Sequence, residues 1–239
     1  ASSLKLPALS QRGAWLRLNA ASVLGGATPR DHFGLDLEGA FEAAGLLEAA
    51  GIPVTGLHVH AGSNSFSRVG LALAERMCAV VDEFTRKTPH RLACVNLGGG
   101  LPADWRRVEL PIAAYRAAIA PLRERVTVLH EAGRAIFADA GAFVTRTIAD
   151  KRIDGRRYLV CDGGLAQAFL LAQTEAVIKH PQSPRVLSVR AAGEVEADPA
   201  QLVGSSCNRA DTIGELPAGV AATVGDTLVF DGCGAYATY

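Results

Sequence analysis

The stretch VTGLHVHAGSNSFSRVGLALAERMCAVVDEFTRK, residues 54–87, decides the fold. VTGLHVHAG reads as a strand, an apolar run that carries two histidines, His58 and His60. Small and hydroxylated residues follow at once, and RVGLALAERMCAVVDEFTRK then reads as a helix. A strand joined to a helix in this way is one βα unit.

The same alternation repeats on both sides. AWLRLNA (14–20) reads as a strand. DLEGAFEAAGLLEAAG (36–51) has apolar residues at 37, 40, 41, 44 and 47, which is helical spacing, and Gly51 fits its end. LACVNLGGG (92–100) is a third strand, PIAAYRAAIAPLRER (111–125) a third helix and RVTVLHEAG (125–133) a fourth strand. Repeated βα units imply a parallel sheet, doubly wound or a barrel.

Near residue 138 the pattern changes. GAFVTRTIADKR, RRYLVCDGG, RVLSVRAAG, QLVGSSC and DTLVF are short β-rich runs separated by Gly, Pro and Asp, while KHPQSPRV reads as a loop. The expected fold is α/β plus all-β: a partial TIM-like (β/α) barrel over 1–138, then a mostly antiparallel β-barrel or β-sandwich-like domain over 139–239.

Composition narrows the function. Of 239 residues, 49% are hydrophobic and 20% charged, as in an ordinary globular chain. Lys+Arg and Asp+Glu number 24 each and cancel, which argues against a nucleic-acid partner. Gly, Pro or charge interrupts every apolar run, so no membrane span is expected. The opening residues lack the apolar core of a signal peptide. The five cysteines are scattered without a CxxC, which points to reduced thiols in the cytoplasm and to no metal site.

The candidate chemistry lies where strands end, the edge at which barrels and doubly wound sheets build their sites. His60–Ser63, Asn96–Gly100 and His130–Arg134 occupy three such ends. The triple glycine Gly98, Gly99, Gly100 exposes backbone N–H groups, as an anion site needs. Ser63 adds a hydroxyl and Arg134 a guanidinium, and together these suit a phosphate. No Gly-Lys-Ser/Thr follows, so the loop is not a Walker loop, and LGGGLP does not fit GxGxxG.

GLHVHAGS, VNLGGG, HEAGR, CDGG, GSSCNRAD and GDTLVFDGCGAY occur in this order, with LRLNA and HFG as two further matches. The set resembles the fold-type III pyridoxal phosphate decarboxylases, the ornithine and diaminopimelate decarboxylase group. The resemblance implies pyridoxal 5'-phosphate as cofactor, an amino acid or amino-acid conjugate as substrate, carbon dioxide as product, and a homodimer with shared active sites. It implies that His60 stacks on the pyridine ring and Glu131 pairs with its nitrogen. It implies that Ser63, Gly98, Gly99, Gly100, Gly133, Arg134 and Tyr236 surround the phosphate. Cys207 would return a proton to the substrate carbon. Asp162, Asp211, Asn208 and Arg17 would face the substrate. His58 matches no such role and reads as packing.

The chain departs from the family in several places. Ala132 replaces a usual Pro, which alters rigidity and not chemistry. Asn64 stands where Gln often follows Gly-Ser. Asn208 follows Cys207 where an acid is frequent, so charge-assisted pairing with a distal ammonium is not expected there. The family's Schiff-base lysine has no counterpart, since Lys5, Lys87, Lys151 and Lys179 lie in unlike segments. A complete barrel has eight units, so the expectation is a sequence lacking its N-terminal part and its C-terminal end. Two competing expectations are a non-catalytic relative and a fold-III amino-acid racemase.

Overall fold

The structure, a computed structural model, describes residues 13–29, 31–172, 182–188 and 198–236. The chain divides into two compact units, Ala1–Ala135 and Ile136–Tyr239.

Alternation along short strands sets the layering of the first unit. Strands β1 (Ala14–Leu18), β2 (Val54–Val59), β3 (Cys94–Asn96) and β4 (Thr127–Leu129) pair in parallel in that order. Leu16, Leu18, Leu57, Val59 and Val95 are buried and join one core. Helices cover this face: α1 (Ala20–Val23), α2 (Leu37–Ala49), α3 (Leu71–Lys87) and α4 (Ile112–Arg123). They contribute Ala44, Met77, Val81, Phe84, Ile119 and Leu122 to the core. Each fully buried Leu or Phe stabilises it by about 1.5–3 kcal/mol. The alternate residues, Trp15, Arg17, His58, Cys94 and Asn96, lie on the other face of the sheet and stay partly accessible. Among the described residues β1 and β4 have one neighbour each, so the sheet is an open part of a barrel.

Local chemistry fixes the connections. Asp36 caps α2 by accepting from the Gly39 N–H at 2.8 Å, a contact of roughly 1 kcal/mol. The buried His90 accepts from the Val54 N–H at 3.2 Å and donates to the Ala44 carbonyl at 3.0 Å, tying α2 to β2. A π-helical turn, Phe66–Gly70, leads into α3 and sets Phe66 edge-on to Tyr115, ring centroids 4.8 Å apart.

The second unit is a curled six-stranded mixed sheet. Its strands are β5 (Phe143–Ile153), β6 (Arg156–Cys161), β7 (Arg185–Leu187), β8 (Ala200–Val203), β9 (Thr212–Leu216) and β10 (Thr227–Phe230), in the order β7-β10-β5-β6-β8-β9. Asp154 and Gly155, both at positive φ, turn β5 into β6. Four of the pairings are antiparallel, as expected, but β6 and β8 run parallel. Strand β9 is not legible in the sequence, because Gly214 and Glu215 interrupt its apolar alternation. Phe143, Leu159, Leu202, Ile213, Leu228 and Phe230 form the core. Arg157 is buried within it, paired with Asp150 at 2.6 Å and donating to the Ala222 carbonyl at 2.7 Å.

Lys5, the first three residues of KHPQSPRV and the end of RVLSVRAAG lie outside the described residues. Among the described residues no helix is long and apolar enough to cross a membrane, and no cluster could hold a metal ion.

Candidate functional site

In the first unit the residues that follow β2, β3 and β4 meet. The Gly99 N–H donates to His60 Nδ1 at 3.2 Å, so that nitrogen carries a lone pair and the ring is held edge-on to the glycine loop. The Gly98 N–H donates to Asn96 Oδ1 at 2.8 Å, and the Glu131 N–H to the Gly98 carbonyl at 2.8 Å. The Phe66 N–H donates to the Gly100 carbonyl at 3.1 Å, and the Ser65 hydroxyl to the Gly62 carbonyl at 2.7 Å. Side chains are excluded from this loop by contact. A Cβ on Gly99 would lie 2.2 Å from the Glu131 carbonyl oxygen, and one on Gly100 would lie 2.6 Å from Ser65 Oγ. Gly98 and Gly100 also sit at φ of 65° and 99°, where other residues are strained.

Glu131 projects from the end of β4 with its side chain half exposed. Asn96 Nδ2 donates to its Oε1 at 2.8 Å, and His58 Nε2 lies 3.4 Å from the same oxygen. Oε2 has no partner among the described residues. Burial holds the His58 imidazole below its usual pKa, and the Glu131 charge opposes that only in part. His58 is therefore not mere packing: it belongs to the group around Glu131. A signal for this was present. LRL, LHV and VNL each set one polar residue between two apolar ones, and the strand register aligns Arg17 with His58 and His58 with Asn96.

The other expected residues are placed as follows. Arg17 lies over the Phe33 ring, 4.7 Å from its centroid. Ser63 is exposed beside Gly62. Gly133 and Arg134 open a short helix, Gly133–Phe137, with Arg134 partly buried. Asn64 has φ 53°, a left-handed conformation that Asn tolerates better than most residues, so its identity has a local cause. Sequence reasoning also passed over a cavity of about 280 Å³ behind the loop, lined by Ser65, Leu73, Leu97, Gly98, Tyr115 and His130. Burial lowers the pKa of His130 and raises that of Tyr115.

In the second unit Cys207 and Asn208 are exposed in the turn after β8. Asn208 Oδ1 accepts from the Ala210 N–H at 2.9 Å, which closes that turn. Asp211 faces inward and is buried. Its carboxylate accepts from the Ser206 hydroxyl at 2.6 Å, the Ser206 N–H at 3.1 Å and the Leu165 N–H at 2.6 Å. A Cβ on Gly164 or Gly204 would come within 2.4 Å or 2.3 Å of its oxygens. Asp162 accepts from the Arg146 N–H at 2.8 Å and the Thr145 hydroxyl at 2.7 Å, and these two bonds hold its carboxyl below the usual range. Tyr236 is 59% exposed at φ 59°. Burial pushes the Cys161 thiol up to about 12.

A parallel barrel segment with a glycine loop, an adjacent ring-bearing His and a carboxylate at three neighbouring strand ends defines a cofactor-binding protein of the barrel class. Residues 15–144 match the family model for the pyridoxal-dependent decarboxylase, pyridoxal binding domain. The chain belongs to that family. It is 30% identical over 223 residues to diaminopimelate decarboxylase of Corynebacterium efficiens, covering 85% of this chain and 47% of the relative. It is 26% identical over 215 residues to the Streptomyces coelicolor diaminopimelate decarboxylase, covering 82% and 47%. The chain thus spans about half the length of the curated relatives it matches. Among solved structures, the Paramecium bursaria Chlorella virus arginine decarboxylase bound to agmatine superposes with a TM-score of 0.75 at 24% identity, covering 99% of this chain and 65% of that one. Helicobacter pylori diaminopimelate decarboxylase complexed with L-lysine gives 0.74 at 18%, covering 96% and 59%. These two likenesses carry the fold.

Proposed function

We propose that the chain is the cofactor-holding and proton-donating part of a pyridoxal phosphate-dependent amino-acid decarboxylase. The observation that carries this reading is the strand-end constellation of the first unit. The glycine loop offers backbone to a phosphate at a place where any Cβ would intrude. His60 stands beside it to face a flat ring, and Glu131 keeps Oε2 for a ring nitrogen. Ser63, Gly133 and Arg134 extend the phosphate shell in this reading.

Bound there, pyridoxal phosphate supplies a cationic ring that takes up the electron pair left when carbon dioxide departs. The chain's own residues bind and orient. Glu131 keeps a proton on the ring nitrogen, and His60 covers one face. Cys207 gives its proton to the carbon that has lost carbon dioxide. Arg17 serves the substrate side in this reading, while Asp211 acts through the Cys207 turn that it braces. The exposure of Cys207 and Asn208 supports a homodimer in which this turn serves a second copy's site. The five free cysteines support a reducing compartment, the cytoplasm. Asn208 spends its Oδ1 on its own turn, which supports a substrate whose far end is not a simple cation held at that point.

One observation favours a second reading, a non-catalytic relative that keeps the fold without the Schiff-base lysine. Among the described lysines, Lys87 ends α3, paired with Glu83 at 2.6 Å, and Lys151 lies in β5. Neither stands at a strand end of the first unit. Carbon dioxide release from a panel of amino acids, with and without added pyridoxal phosphate, tests the proposal. Release that needs the cofactor supports it. A colourless protein that ignores added pyridoxal phosphate and releases none supports the second reading, and release that does not depend on the cofactor contradicts the proposal. High efficiency on free ornithine, lysine or diaminopimelate overturns the reading of Asn208.

A further inference from the structure

Three strands place one polar residue each on the sheet face opposite the helices, in one register line: Arg17, His58 and Asn96. Asn96 is fixed at both ends of its amide. Its Oδ1 accepts from Gly98, which leaves Nδ2 to donate to Glu131 Oε1. His58 Nε2 is buried, makes no hydrogen bond, and has that same Oε1 at 3.4 Å. A buried ring nitrogen without a partner is costly, of the order of 1–3 kcal/mol. A small rotation of the half-exposed Glu131 side chain relieves it.

We propose that His58 is a positioning residue for Glu131: its Nε2–H donates to Oε1 beside Asn96 and so holds Oε2 toward the ring nitrogen of a bound cofactor. This rests on the cofactor reading above. The charge state gives the arrangement its point. A cationic imidazole here would form its own ion pair with Glu131 and weaken the hold on a protonated ring nitrogen. A neutral donor orients the carboxylate and leaves its negative charge whole. The surroundings favour the neutral form. The groups that face His58 are Arg17 from β1, His60 from the end of its own strand, Asn96 from β3 and Glu131 from the end of β4. Burial together with Arg17 and His60 outweighs the single carboxylate.

The first test needs no cofactor. Imidazole ¹⁵N chemical shifts of the whole chain, assigned with His58→Gln, are expected to show His58 neutral at neutral pH with its proton on Nε2. Its titration midpoint is expected to fall further in Glu131→Gln, because the one group that raises it is removed. A proton on Nδ1, or a midpoint unmoved by Glu131→Gln, overturns the proposal. The second test is fluorescence-monitored binding of pyridoxal phosphate itself. His58→Ala is expected to weaken binding by about tenfold, the scale of one hydrogen bond to a charged group. His58→Gln, which keeps an N–H donor and guards against a folding defect in the alanine variant, is expected to recover most of that loss. The wild type is expected to lose affinity on acidification, and His58→Gln is expected to lack that fall. Equal binding by wild type and His58→Ala overturns the positioning role while leaving the cofactor reading intact. Wild-type protein that binds no pyridoxal phosphate overturns the cofactor reading, and the ¹⁵N measurement then decides the imidazole–carboxylate contact by itself.

Discussion

His60 Nδ1 and the Gly99 N–H are joined at 3.2 Å, and this bond ties the expected ring-facing side chain of one strand end to the anion-suited loop of the next. The loop's position and the imidazole's orientation therefore depend on each other. Gly99 also lies against the Glu131 carbonyl, so one residue touches all three strand ends.

Gly99→Ala is expected to destabilise the first unit by about 1–3 kcal/mol, since the added methyl meets backbone and cannot be accommodated by a rotamer change. Urea unfolding reads the stability. Pyridoxal phosphate affinity should fall by more than the stability loss alone would cause, because His60 and Glu131 move together.

Asp211→Ala removes the buried carboxylate that accepts from two N–H groups and one hydroxyl in partly buried hydrogen bonds. The expected cost is about 1–3 kcal/mol for donors left unmet, read by denaturant midpoint. The Cys207 turn should also loosen, so that Cys207 alkylates faster than in the wild type.

Thiol labelling should separate the cysteines. Cys207 is exposed, whereas Cys161 is buried with its thiol pushed up to about 12. Iodoacetamide near neutral pH is expected to modify Cys207 first and Cys161 only after unfolding, as peptide mass mapping would show. Cys207→Ala should leave pyridoxal phosphate binding unchanged and reduce carbon dioxide release by roughly 10²–10⁴-fold, the usual contribution of a general acid.

Acid should weaken the first unit at a definable point. His58 and His130 are both depressed by burial below 6.5. Above that value they are neutral in the folded and unfolded chain alike. Below it the unfolded chain takes up protons that the folded chain refuses, so stability falls as pH drops through the folded values. Urea midpoints should be flat above neutrality and decline as the pH falls below about 6.5. His130→Asn should flatten part of that decline.

How far the sequence could be read is clear from particular segments. The βα order, the helix end at Gly51 and the glycine loop were legible, because each is set by residues close together in the chain. The parallel pairing of β6 with β8 was not, because strand partners distant in sequence leave no local mark. The same holds for His58. A period of two puts His58 and Asn96 on one face of their own strands. Only the inter-strand register brings both to Glu131. Asn208 and Asp211 resemble ligands in composition, and the structure shows the backbone each of them serves.

The row Arg17, His58, Asn96 has a consequence for how such a site diverges. Each member stands on a different strand, and each strand is held in register by its own apolar neighbours. Exchanging one member changes the charge or donor presented at that point and leaves the other two where they are. A lineage built on this sheet can therefore retune its chemistry one substitution at a time, without passing through an intermediate that has lost its fold.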